Sequence, residues 1–246
     1  MEYIILGLIQ GLTEFLPVSS SAHLLIIQKL MDFHIDTLQL AVFAHLGTLL
    51  ALLFYFFKDI KKTLKSKPLV IYILIVTLVT GLIAVMFKKY FEVLFISFGI
   101  LKFTLIINGI ILLFNYFFTK PKRGINSLGL MNALGFGVIQ ALAILPGISR
   151  SGITISYLTF NKLNKEEAFK LSFLAGLPAI LGAFILEAKI NYSNLLGLKW
   201  LLFCMLISFL SGIFSLSILK RFLLKEKFYY FGYYCILMGV LLFFIR

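Results

Sequence analysis

The chain has 246 residues, 61% hydrophobic and 13% charged, with a mean hydropathy of +1.03, whereas a soluble domain carries about 45 to 50% apolar and about 25% charged residues. That composition excludes a soluble globular core and predicts helices that cross a hydrocarbon layer roughly 30 Å thick. The 23 Lys plus Arg against 10 Asp plus Glu fall in short runs between apolar segments and form no continuous stripe, which argues for membrane orientation and against a nucleic-acid partner.

In chain order, the apolar run Tyr3 to Leu16 lacks a basic leader and carries Gln10 and Glu14, so it reads as a retained segment and not as a cleaved signal. Met1 to Leu16 makes a helix of roughly 24 Å at 1.5 Å per residue, and Ser21 to Met31 a shorter one. With Pro17 between them they read as a hairpin that enters the membrane and leaves by the same face. Spans follow at Leu38 to Phe57, Leu69 to Phe87 and Val93 to Phe118. Leu128 to Leu145 and Ser151 to Phe160, broken at Pro146-Gly147, read as a second hairpin, and Ala168 to Leu186, Trp200 to Leu219 and Phe228 to Ile245 as further spans. The expected fold is therefore an all-α polytopic membrane protein, about six transmembrane helices plus two re-entrant helical hairpins, in one integral membrane domain over residues 1–246. Cys204 and Cys235 lie within apolar segments and no disulfide is expected.

Charge supports this parity. The segments at 58–67, 120–123, 162–170 and 220–227 fall on one side and carry 15 of the 23 basic residues, which makes that side cytoplasmic and places both termini outside. An internal repeat runs through the arrangement. Gly7-Leu-Ile-Gln10-Gly-Leu-Thr-Glu14-Phe-Leu-Pro17-Val-Ser-Ser20 resembles Gly137-Val-Ile-Gln140-Ala-Leu-Ala-Ile-Leu-Pro146-Gly-Ile-Ser149, with one residue deleted before the proline. An odd number of spans between the hairpins gives the repeats, about 1–118 and 119–246, inverted topology, an architecture that puts broken helices and their ligand site near the membrane midplane.

Irregular backbone at membrane depth needs protein or water to satisfy it, so the breaks Pro17 to Ser21 and Pro146 to Ser151 are expected to face each other. Each precedes a helix start, whose free N–H groups and dipole favour an anion, and Arg150 adds a planar fork suited to phosphate. Residues three or four apart share a helix face, which pairs Gln10 with Glu14, Ser20 with His23, and Arg150 with Thr154. The second pair sets a hydroxyl beside an imidazole able to take its proton, and the third continues the phosphate surface by one turn. Glu14 either holds a divalent cation or acts as a base; alternatively it forms a structural ion pair with Arg150. Taken alone, Ser19, Ser21 and Ser149 read first as helix caps. His34 and His45 lack such companions and read as a loop residue and a packed helix residue. Trp200, Tyr229, Tyr230 and Tyr233 are expected interface anchors.

The stretches Gln10-Gly-Leu-Thr-Glu14-Phe-Leu-Pro-Val-Ser-Ser-Ser-Ala-His23 and Leu145-Pro-Gly-Ile-Ser149-Arg150-Ser-Gly-Ile-Thr154 resemble the two signature motifs of the undecaprenyl-diphosphate phosphatase, or bacitracin-resistance protein, family. The resemblance implies hydrolysis of undecaprenyl diphosphate to the monophosphate, which recycles the carrier lipid for cell-wall synthesis and confers bacitracin resistance. It also implies a divalent cation (Mg2+ or Ca2+) and a multi-pass location in the bacterial cytoplasmic membrane, with the site open to the extracytoplasmic side. The implied partners are that substrate and membrane lipid, and a homo-oligomer is left open. By position, Glu14 is the motif carboxylate and metal ligand, Ser20 the nucleophile, His23 its proton partner and Arg150 the phosphate-binding residue, with Ser19, Ser21, Ser149, Ser151 and Thr154 supporting. Gln10 stands where many members carry a second glutamate and is assigned hydrogen bonding only. A transporter or flippase of a prenyl phosphate is the competing reading, since inverted repeats with broken helices are equally typical of carriers.

Overall fold

A computed structural model describes residues 2–31, 37–96, 98–117, 123–187 and 197–244; His34, Lys120, Lys122, Lys189 and Arg246 lie outside them. The described residues are helical, with no strand among them. In chain order the helices are α1 (Glu2–Phe15), α2 (Ser20–Met31), α3 (Thr37–Tyr55), α4 (Phe57–Leu64), α5 (Lys67–Met86), α6 (Lys88–Ile96), α7 (Phe98–Phe114), α8 (Leu130–Leu142), α9 (Arg150–Phe160), α10 (Lys165–Glu187), α11 (Leu198–Leu224) and α12 (Tyr230–Leu241).

Among the described residues, three helices are long and apolar enough to cross a membrane alone, over Lys67–Met86, Gly99–Phe117 and Leu198–Leu224. The α3–α4 pair passes together, bent by 68° at Phe56. Outward faces stay apolar: Leu74, Leu78 and Leu82 on α5, Leu206, Leu210 and Phe214 on α11, and Tyr233 and Leu237 on α12 are all exposed. Continuous apolar surface of this extent suits lipid and not water, and the chain is a multi-pass membrane protein.

Helix ends follow local chemistry. Pro17 supplies no N–H and restricts Leu16, so α1 stops at Phe15. The first arm of the second hairpin was expected to run to Leu145, but α8 stops at Leu142. Ahead of Pro146 the N–H groups of Ala143, Ile144 and Leu145 each reach back three residues, at 3.1 Å, in a tightened last turn. Of the span expected over Val93 to Phe118, Gly99–Phe117 is long and apolar enough to cross alone, and α6 and α7 lie on either side of Ser97, which is outside the described residues. At the start of α10, Glu166 meets Lys170 at 3.2 Å and Lys220 at 3.5 Å. The hydrogen bond from Lys170, helped by the charges of Lys170 and Lys220, holds the Glu166 carboxyl below the usual carboxylate range.

The packing is reciprocal between the chain's halves. α1 lies along α11 and α8 along α5, while α7 and α12 pair with each other. α1 approaches closely because Gly11 has no side chain; a Cβ there would sit 2.5 Å from the Ser208 carbonyl. An aromatic core of Phe15, Phe56, Phe169 and Phe173 joins α1, α3 and α10. Phe173 packs edge-on to Phe15 at 5.6 Å and forms the floor beneath the polar breaks. Cys204 and Cys235 are both free and buried.

Candidate active site

The two breaks interlock, as the burial argument requires. Gly147, at φ 93°, donates its N–H to Ser19 Oγ at 3.1 Å. Ser151 donates to the Phe15 carbonyl at 2.8 Å, and Ser149 caps α9 by accepting the Gly152 N–H at 3.2 Å. Asn108 on α7 joins both loops: its amide donates to the Pro17 carbonyl at 3.0 Å, and its oxygen accepts the Ser149 N–H at 3.0 Å. Sequence reading passed over Asn108. An asparagine in a long apolar span is itself the available signal, since it needs buried partners.

The breaks, α3, α10 and the end of α8 enclose a cavity of about 320 Å³ lined by Glu14, Ser19, Ser20, Ser21, His45, Ser149 and Arg150, with an apolar wall of Ile144, Ile148, Ile180 and Phe184. Ser20 donates to Glu14 Oε2 at 2.7 Å, and Gln10 Nε2 donates to the same oxygen at 3.0 Å. Arg150 Nη2 lies 3.9 Å from Glu14 Oε1, beyond hydrogen-bond reach. Its guanidinium carbon sits 5.7 Å from the Phe173 ring centroid, against Gly176, where a Cβ would collide with Nη1. Both terminal nitrogens of Arg150 are buried without a hydrogen-bond partner among the described residues. Unsatisfied donors on a buried cation are costly, and the Glu14 carboxylate at 3.9 Å offsets part of the charge without filling them.

Three expectations need correcting. His23 does not bond Ser20: its Nδ1–H donates to the Ser19 carbonyl at 2.8 Å, and its Nε2 accepts from Tyr234 Oη at 2.6 Å, with the two rings stacked. The α2 start is turned so that Ser20 faces Glu14, because Ser19 adopts a left-handed φ of 68°. Thr154 does not extend the phosphate surface; it is buried, donates to the Arg150 carbonyl at 2.6 Å and meets Ser172 at 2.7 Å. His45, read as a packing residue, lines the cavity. Gln10 and Ser151 are buried behind the cavity wall and hold their neighbours in place.

For a divalent cation the donor set is oxygen. No group of three or more His, Cys, Asp or Glu able to hold a metal occurs among the described residues. Glu14 supplies a hard carboxylate ligand at the cavity, with Gln10 buried behind it, and Mg2+ is commonly held by one or two carboxylates together with substrate phosphate oxygens. The residues fit a cation that arrives with an anionic ligand and do not form an all-protein cage.

The family model described as bacitracin resistance protein BacA matches residues 3–241. A protein named undecaprenyl-diphosphatase from Thermotoga petrophila is 36% identical over 238 residues, covering 97% of each chain. Proteins of the same name from Carboxydothermus hydrogenoformans and Thermosipho africanus are 40% and 39% identical, covering 97% and 100% of this chain and 94% and 100% of their own. With the interlocked motifs in place and the match running through nearly every helix, the chain belongs to the bacitracin resistance protein BacA family.

Proposed function

We propose that this protein hydrolyses undecaprenyl diphosphate to undecaprenyl phosphate and inorganic phosphate, recycling the carrier lipid of cell-wall synthesis. The observation that carries the reading is a hydroxyl held at 2.7 Å by a carboxylate, Ser20 on Glu14, in the same cavity as the Arg150 fork, which is ion-paired to Glu14 at 3.9 Å while its terminal nitrogens make no hydrogen bond among the described residues. Anion binding alone needs the fork but not the activated hydroxyl, so the pairing favours hydrolysis over transport. The relatives' printed name and the match along the chain support the same substrate.

In this mechanism the diphosphate enters the slot and its terminal phosphoryl group takes the Arg150 side-chain donors beside the positive end of the α9 dipole. Glu14 Oε2 accepts the Ser20 proton as Oγ attacks the terminal phosphorus. Charge growing on the phosphoryl oxygens is stabilised by a guanidinium already in place, so little reorganisation is needed. Ile144, Ile148, Ile180 and Phe184 meet the first isoprene units and keep the tail toward lipid. A divalent cation held by Glu14 would neutralise the diphosphate charge and polarise the phosphoryl oxygens.

The same reading assigns six spans and two re-entrant hairpins in an inverted repeat, about 1–118 and 119–246. It is supported by the reciprocal packing of α1 on α11 and α8 on α5 and by the basic loops at 58–67 and 220–227, which the positive-inside rule makes cytoplasmic. The site then opens outward. The direct test is phosphate release from a prenyl diphosphate by purified protein in detergent, with and without chelator. Binding of the diphosphate with no release of phosphate in Mg2+ or Ca2+ would return the site to transport.

A further inference from the structure

Hydrolysis through a serine ester is served by two proton carriers. One takes the nucleophile's proton; the other serves the leaving oxygen and, by microscopic reversibility, the water of the second step. Among the described residues, the ionisable groups lining the cavity are Glu14, His45 and Arg150. Glu14 is engaged by Ser20, and a guanidinium does not give up its proton. His23 is not in the cavity wall, and both its nitrogens are taken. The remaining group is His45.

Its orientation is fixed by the backbone. His45 Nδ1–H donates to the Ala41 carbonyl at 2.8 Å, one helical turn back, which makes Nε2 the nitrogen free to exchange a proton. Among the described residues Nε2 makes no hydrogen bond. α3 is held in this rotation by α11: Ser208 donates to the Ala44 carbonyl at 2.7 Å, and Gly47 abuts the Met205 carbonyl. α3 therefore presents an imidazole with one committed and one available nitrogen to the same space as Ser20 and Arg150.

We infer that His45 is the second proton carrier of the reaction, an inference that rests on the hydrolytic reading above. In the first step Oγ of Ser20 bonds to the terminal phosphorus, the bond from that phosphorus to the bridging oxygen breaks, the Ser20 proton passes to Glu14, and the departing prenyl phosphate takes a proton from His45 Nε2. In the second step water bonds to phosphorus and the phosphorus to Oγ bond breaks. Glu14 returns its proton to Oγ, and the water proton goes to His45 Nε2. The sum is one diphosphate and one water consumed, with one monophosphate and one inorganic phosphate formed. The second step depends on His45 more than the first, because a phosphate monoester, with a second pKa of about 6, departs readily without a proton whereas neutral water is a weak nucleophile.

The experiment is rapid-quench turnover of a prenyl diphosphate labelled in its terminal phosphate, with His45→Gln and His45→Ala. The expected result is a fall of ~10²-fold in steady-state phosphate release, label trapped on Ser20, and recovery of His45→Ala by added imidazole. Release within a few-fold of wild type by both variants overturns the assignment, as does a loss that imidazole does not restore and that traps no label. Ser20→Ala run alongside keeps the two readings apart. Its failure to release phosphate while the His45 variants turn over normally removes His45 alone, whereas normal release by Ser20→Ala removes the serine-ester route itself.

Discussion

Gly176 offers a test of the Arg150 slot by a substitution that touches neither motif. A methyl group there would overlap Arg150 Nη1 and stand 3.1 Å from Cζ and 3.6 Å from Gln140 Oε1. The Phe173 ring lies on one side and the buried Gln140 on the other, so the guanidinium has to shift by roughly an ångström, a displacement that can cost ~10² in rate at a catalytic group. The Glu14 contact, already 3.9 Å, is lost with it. Stability is expected to respond differently, because Gly→Ala inside a helix gains up to ~1 kcal/mol of propensity, which offsets much of the local crowding. Gly176→Ala should therefore lower kcat/KM for phosphate release by ~10²-fold at nearly unchanged thermal stability. Gly182, on the same helix with no atom of the described residues within 4 Å of a new Cβ, is the control, and Gly182→Ala should leave turnover intact. Wild-type kcat/KM in a well-folded Gly176→Ala protein would show that the observed Arg150 position is not the working one.

Ser20→Ala should fold and bind the diphosphate yet release almost no phosphate, and Arg150→Lys, which keeps the charge but loses the fork, should cost ~10² to 10³ in turnover at nearly constant melting temperature. Tyr234→Phe keeps the stacked ring and removes the donor to His23 Nε2; it should cost about 1 kcal/mol of stability, and a melting temperature equal to wild type would dismiss that bond. Glu166, held below its usual range first by the Lys170 hydrogen bond, contributes stability above its unfolded-state value that disappears as pH falls through the depressed one. The melting difference between wild type and Glu166→Gln should thus shrink toward acid, and a difference that grows there would reverse the sign. Cysteines placed at Lys62 and Lys225 should resist an impermeant thiol reagent in intact cells, and ready labelling at both would invert the membrane orientation.

The signals that survived from sequence to structure were short-range. Pro17 and Pro146 ended their helices where a missing N–H requires it, and Gln10 with Glu14, four residues apart, met on one helix face at 3.0 Å. Helical spacing failed for Ser20 and His23, because it presumes that α2 is already regular at Ser19. A left-handed residue there, held by the Gly147 N–H and the His23 ring, turned the hydroxyl toward Glu14 instead. Asn108, Tyr234 and His45 reach the site or its supports from helices far along the chain, and no spacing rule links them to either motif.

Composition, apolar run length and the paired motifs by themselves determined a helical membrane protein with two broken, polar segments, because hydropathy and proline geometry act on neighbours in sequence. Which carboxylate holds Ser20, what faces His23, and that His45 shares the cavity were decided only by tertiary packing. Those pairings depend on the rotation and approach of helices that meet through contacts such as Gly11 on Ser208 and Ala44 on Ser208, and the register of one helix against another is a property of the packed whole.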